Sequence, residues 1–198
     1  MIAYRHASYA TPLRAVPSRA PGRYHRGDEE SATQYLCLHP LGPLAELMRA
    51  HSLRRPEQIR EVRARTWALR VEIESLPEIT FGNTADFGVD AGALVDDDPS
   101  RCQALGAQLR TEVPGLVVPS AALPGTQNVV LFGPRVAAPY LVEPIGAVDV
   151  AASITAEAGR PLVSLLAAVR CRGSTHAELE AWRTGRKFSF EEPDWSVA

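Results

Sequence analysis

Lysine is nearly missing from this chain: Lys187 stands alone among 21 basic residues. That bias follows the base composition of a genome as readily as any task, so no function is read from it. Cysteine is scarce too, and Cys37, Cys102 and Cys171 are odd in number, widely spaced and without a C-x-x-C pair. Neither a disulfide framework nor a zinc cage is supported, and a cytoplasmic, reducing location fits best. The opening Met1-Ile2-Ala3-Tyr4-Arg5 has none of the apolar core of a secretory leader. The uncharged run from Val113 to Pro134 is long enough to cross a bilayer, but Pro114, Pro119, Pro124, Gln127 and Asn128 interrupt it, so no membrane span is expected.

The common nucleotide signatures are missing as well. Neither G-x-x-x-x-G-K-[ST] nor a G-x-G-x-x-G after a strand occurs, so side chains must hold any nucleotide that binds. His6, His25, His39, His51 and His176 form no H-E-x-x-H and have no acidic or thiol partner at ligand spacing, so no metal is expected. Ser120 lies outside any G-x-S-x-G elbow, which argues against a hydrolase nucleophile.

What is present is an ordinary globular composition: 198 residues, 45% hydrophobic and 22% charged, with a formal net charge of -2. That length suits a single domain over 1–198, and the charge balance gives no field that would gather nucleic acid directly. Arg49, Arg54, Arg55, Arg60, Arg63, Arg65 and Arg70 make one basic stretch, read as a solvated face.

Periodicity sets the elements. Ile2 to Arg5 reads as a short strand, followed by irregular backbone around Pro12, Pro17 and Pro21. Tyr35 to Leu38 reads as another strand, and Pro43 opens a helix to about Leu53. Leu44, Leu47, Met48 and His51 then fall on one helix face, and Glu46 points to the other side. Alternation from Trp67 to Ile73 predicts a half-buried strand. Asp98-Pro99 predicts the start of a helix to about Arg110. Gly115 to Val118 and Asn128 to Phe132 read as strands around a Pro124-Gly125 turn. Pro161 to Arg170 reads as a helix, and Thr175-His176-Ala177-Glu178 has the form of a capping box for another that Gly185 ends. Strands and helices mix without regular β-α-β alternation, which favours α+β.

The pieces Tyr4-Arg5, Gly22-Arg23-Tyr24-His25, Tyr35, Glu46 eleven residues later, Leu69-Arg70-Val71, Val118-Pro119-Ser120-Ala121 and Asn128 to Leu131 share an order and spacing. In these pieces the chain resembles the RES-domain family, named for an Arg-Glu-Ser triplet and known as toxins of RES–Xre toxin–antitoxin pairs. Tyr24 and His25 stand where the family typically has Trp and Asn, and the segment from Arg26 to Thr33 is unusually charged.

The resemblance implies an ADP-ribosyltransferase-like fold, with small mixed sheets and flanking helices around a central cleft. It implies NAD as substrate, cleaved between nicotinamide and ribose with phosphate or water as acceptor. Transfer of ADP-ribose to a protein, or a non-catalytic binding module that keeps the fold, are the alternatives. The implied partner is an Xre-type helix-turn-helix antitoxin, and a homodimer is left open.

The residue types suit that chemistry. Arg5 and Arg23 can fork toward a pyrophosphate, which a lysine would meet only as a point charge. Tyr24 and Tyr35 offer faces and hydroxyls to nicotinamide or ribose. Glu46 is placed to stabilise the oxocarbenium character that develops on the ribose carbon. Ser120 is expected to hydrogen-bond the ribose or the nicotinamide amide, and Asn128 to brace the strand beside it.

Overall fold

Trp67, Leu69 and Val71 fall at every second position because they lie on a strand with one face on the core, and that strand is paired on both sides, one in from the edge of the sheet. In the computed structural model, which describes residues 1–6, 17, 19–28, 32–60, 62–133, 142–151 and 161–192, it runs as β3 (Arg63–Val71) beside β1 (Ile2–His6). The other strands are β2 (Thr33–Cys37), β4 (Gly115–Pro119), β5 (Gln127–Phe132) and β6 (Val142–Ala151). They join in one sheet of order β4-β5-β2-β1-β3-β6, antiparallel throughout its ladders. Beyond β4 a parallel bridge from Glu78 to Val117 closes the edge. With its helices the chain is α+β. The irregular backbone expected around Pro12 lies outside the described residues.

Two cores sandwich the sheet. Ala3, Leu36, Leu69, Val71, Val117, Val129 and Leu131 fill one. On the opposite face Leu116, Val118 and Val130 pack with Leu94 and Val95 and with Cys102, Leu105 and Leu109 of α3 (Ser100–Leu109). β4 is buried along its whole length because both layers cover it. Asp98 lies just ahead of α3 and accepts both the N–H and the hydroxyl of Ser100, so it secures the helix start from one position before the N-cap Pro99.

A third cluster joins α1 (Gly42–Ala50), α2 (Pro56–Arg60) and α4 (Pro161–Ala168) through Ala45, Met48, Ile59 and Leu165, with Leu123 from the loop after β4. Fully burying a side chain such as Met48 or Leu123 contributes about 1.5–3 kcal/mol.

The structure corrects several expected details. The buried side of α1 carries Ala45, Met48 and Arg49, while Leu44 and Leu47 are half-buried and His51 is exposed. The stripe is rotated because α1 faces α4 and the loop after β4 together. Arg49, expected in a solvated face, is only 6% exposed. β3 begins four residues before the predicted Trp67, and α2 and β6 had no sequence prediction. α5 (Ala177–Arg183) is capped by His176, whose ring accepts the Leu179 N–H; Glu178 accepts the Gly125 N–H instead of closing a capping box.

Gly106 of α3 fixes how closely the helix approaches the turn at Arg23-Tyr24, since a Cβ there would overlap the carbonyl oxygen of Tyr24. Replacing Gly106 by Ala should therefore cost stability, about 1–3 kcal/mol for the overpacked contact, although alanine is the better helix former. Urea unfolding would check this; a gain in stability would contradict the packing argument.

Candidate active site

The turn that carries Arg23 is built from inside. Gly22 N–H donates to the His25 carbonyl at 3.0 Å, closing the turn. The Tyr35 hydroxyl accepts the Tyr24 N–H at 2.9 Å and donates to His25 Nδ1 at 2.9 Å. His25 Nε2 then carries the proton, because its partner at 3.0 Å is the carbonyl of Ala20. Gln103 and Arg110 hold the Gly22 and Tyr24 carbonyls from α3 and the residue after it. Arg23 extends from this turn, with Nη1 on the Leu94 carbonyl at 3.3 Å and Nη2 on the Asp96 carbonyl at 2.7 Å. Both acceptors are neutral, so the guanidinium is oriented without losing its charge.

The same geometry fixes the other side chains of the turn. The Tyr24 ring is 1% exposed and packs in the core, and the residue is also among those that line the cleft beside the turn; burial raises its phenol well above the ordinary value. The Tyr35 hydroxyl is committed to the turn. Both ring nitrogens of His25 are satisfied internally, which leaves no extra phosphate donor there.

A cleft of about 640 Å³ opens beside the turn. Arg5 and Arg23 line it from one direction, Glu46 and Arg49 of α1 from another, and Asn128 of β5 from the sheet. Arg5 Nη1 donates to Gln34 Oε1 at 2.8 Å. Glu46 Oε1 accepts Asn128 Nδ2 at 2.8 Å and lies 3.5 Å from Ser120 Oγ, the long end of such a bond. Glu46 Oε2 has no hydrogen-bond partner among the described residues, and Asn128 Oδ1 is buried without one. Ser120 is fully buried, and its Oγ also accepts the N–H groups of Leu123 and Ala122 at 3.1 and 3.4 Å. The structure thus brings Glu46, Asn128 and Ser120 together, with Ser120 behind the carboxylate rather than on the cleft wall.

Three residues at the site escaped the sequence reading. Arg49 donates through Nη2 to Asp97 at 2.7 Å and through Nε to the Ala121 carbonyl at 3.2 Å. Burial lowers its guanidinium below the ordinary value, and the nearby Arg23 and Arg170 add to that. Burial works against ionised Asp97, but the Gly173 N–H, Arg170 and Arg49 outweigh it and hold the carboxyl below its usual range. Arg172 lines the cleft from a segment distant in sequence. Only Arg49 had a legible signal, its position three residues after Glu46 on one helix.

His176 supports the site from below. Its Nε2 donates to the Ser120 carbonyl at 2.9 Å while Nδ1 accepts the Leu179 N–H, so the folded protein needs the neutral ring. Burial lowers its pKa from the usual 6.5 to about 4, against a smaller opposing effect of the Ser120 carbonyl. As pH falls below 6.5 the unfolded chain takes up this proton before the folded one. The stability contribution is therefore complete above pH 6.5 and is lost as pH falls toward 4. The loss should reach about 3 kcal/mol at most, and His176→Gln should flatten that part of a stability-against-pH curve. An unchanged slope in the variant would assign it to other groups.

Comparison with known proteins places this geometry. A family model described as RES domain matches residues 2–150. Among curated proteins, a probable NAD(+) phosphorylase of Mycobacterium tuberculosis is 34% identical over 118 residues, covering 60% of this chain and 56% of that protein. The match thus spans little more than half of that relative's length. Among solved structures, the crystal structure of the M. tuberculosis MbcT–MbcA toxin–antitoxin complex aligns with a TM-score of 0.66 at 21% identity. That alignment covers 84% of this chain and 88% of the other, and shows a shared fold. Among the described residues no helix is long and apolar enough to cross a membrane.

Proposed function

Because this chain belongs to the RES-domain family, we propose that it cleaves the bond between nicotinamide and ribose in NAD, passing the ADP-ribosyl group to phosphate or water. The observation that carries the reading is Glu46, held by Asn128 and Ser120 in a cleft that Arg5 and Arg23 also line. Breaking the glycosidic bond develops positive charge on the ribose carbon, and a carboxylate fixed beforehand stabilises it without reorganising. Asn128 holds one carboxylate oxygen and leaves Oε2 for the reacting sugar. Its own Oδ1 is a buried acceptor still to be satisfied, suited to a ligand hydroxyl or amide N–H.

Arg5 and Arg23 take the pyrophosphate. Arg23 uses one N–H from each Nη on a carbonyl and also contacts the Cys102 thiol, and its guanidinium still has donors left to offer a ligand. Ser120 acts through Glu46, as a positioning residue. The names of the relatives support this assignment, one a probable NAD(+) phosphorylase and the other a toxin–antitoxin complex. The Tyr24 and His25 departures are absorbed in the interior of the Arg23 turn, so they are no reason to read the chain as a non-catalytic module. A partner protein of the antitoxin kind, helix-turn-helix in form, would restrain the activity by covering the cleft.

Nicotinamide release from NAD, followed with and without phosphate, tests the reading. Glu46→Gln should lower kcat by about 10²–10³, the cost of losing one preorganised electrostatic group. Ser120→Ala should cost about tenfold, because Asn128 still holds the carboxylate. No release by the wild-type protein above a Glu46→Ala control would overturn the proposal.

A further inference from the structure

The cleft holds more positive charge than its own acids balance. Arg5, Arg23, Arg49 and Arg172 line it against Glu46 and Asp97, and Arg170 draws on the same Asp97 at 3.1 Å. A dinucleotide pyrophosphate carries one charge on each phosphate, which still leaves the site cationic. Excess charge in a partly buried site is costly until an anion enters.

The surplus is concentrated around Asp97. Arg49 shares a face of α1 with Glu46, three residues away, and among the described residues its Nη1 has no hydrogen bond once Nε and Nη2 are engaged. Asp97 Oδ2 accepts the Gly173 N–H at 2.6 Å, and Arg54 donates to the Arg172 carbonyl at 3.1 Å. The backbone of Arg172 is thereby clamped on both sides, whereas its exposed guanidinium has no partner among the described residues. A fixed base with a free fork is the arrangement that binds a tetrahedral oxyanion through paired N–H groups.

We propose that Arg172 and Arg49 form an oxyanion subsite beside Glu46 that binds inorganic phosphate as the nucleophile. The subsite rests on the NAD-cleaving reading and names its acceptor. A lone pair on an oxygen of hydrogen phosphate forms the new bond to the anomeric carbon of the ribose. The bond from that carbon to nicotinamide breaks, and its electron pair returns to the ring nitrogen, so nicotinamide leaves neutral. The product is an ADP-ribose phosphate whose remaining phosphate proton passes to solvent. The two guanidiniums hold the dianion against the carbon, and Arg49 separates its charge from that of Glu46. Arg172 lies beyond the 2–150 stretch that the family model matches, so the subsite is completed by the later part of the chain.

The test pairs a direct binding measurement with kinetics. Calorimetric titration with inorganic phosphate, without NAD, should show at least tenfold weaker binding for Arg172→Gln than for the wild-type protein. The KM for phosphate should rise by a similar factor, while the KM for NAD stays within twofold. Arg172→Lys should recover part of the loss, and Lys187→Gln, which removes an exposed charge from the tail, should change neither constant. Equal phosphate binding by wild-type and Arg172→Gln proteins, absence of binding by the wild type, or a matching rise in the KM for NAD would each overturn the subsite. Phosphate bound by the wild type and lost in Arg172→Gln, with no nicotinamide released by either, would keep the subsite and overturn the NAD-cleaving reading instead.

Discussion

The structure around the cleft depends on holding guanidinium groups in place without cancelling their charge. Arg23 rests on the carbonyls of Leu94 and Asp96, Arg49 on that of Ala121, and Arg170 on that of Ser174. A carbonyl oxygen satisfies an N–H and fixes the direction of the side chain, but it carries no net charge. Asp97 is a counter-ion shared between Arg49 and Arg170. Had each arginine been given its own carboxylate, the arginines would be just as ordered, and the cleft would have little potential left to attract an anion.

Strand register imposes the second constraint. β4 and β5 pair with Val118 opposite Asn128, and β2 and β5 pair with Cys37 opposite Asn128. Those ladders bring Asn128 beside the loop that begins at Ser120 and under the face of α1 that carries Glu46. A slip of one residue in β5 would turn Asn128 to the other side of the sheet and leave Glu46 without its donor. The apolar residues Val129, Val130 and Leu131, buried in alternating layers, prevent that slip. Core packing and the position of one carboxylate oxygen are therefore the same fact seen at two scales.

How much of this was legible from sequence follows from the range of each interaction. Strands with strong alternation, such as β3, and helices with a clear start, such as α3, follow from neighbours a few residues apart. Glu46 stood out because it lies off the apolar residues of its helix, and the structure does bring it to Ser120 and Asn128. Tyr24 is the opposite case. A tyrosine beside an arginine in a polar turn looks available to a ligand, yet its ring turns into the core while its backbone N–H is fixed by Tyr35, eleven residues away. Arg49 looked like one more charge in a basic run, because nothing local announces a buried partner as distant as Asp97.

The later part of the chain shows why site and stability are hard to separate here. Residues 170–176 supply Arg170 to Asp97, the Gly173 N–H to the same carboxylate, and the His176 ring to the Ser120 carbonyl. None of these groups needs to touch a substrate, yet each fixes a residue one step from Glu46. Ser120 is held from both ends, its carbonyl by His176 and its Oγ by the loop N–H groups, so its hydroxyl stays aimed at the carboxylate. Protonating His176 would place a charge in a buried cap and remove the acceptor for the Leu179 N–H. Acid would then release the start of α5 and the Ser120 carbonyl together, loosening the carboxylate through the protein interior.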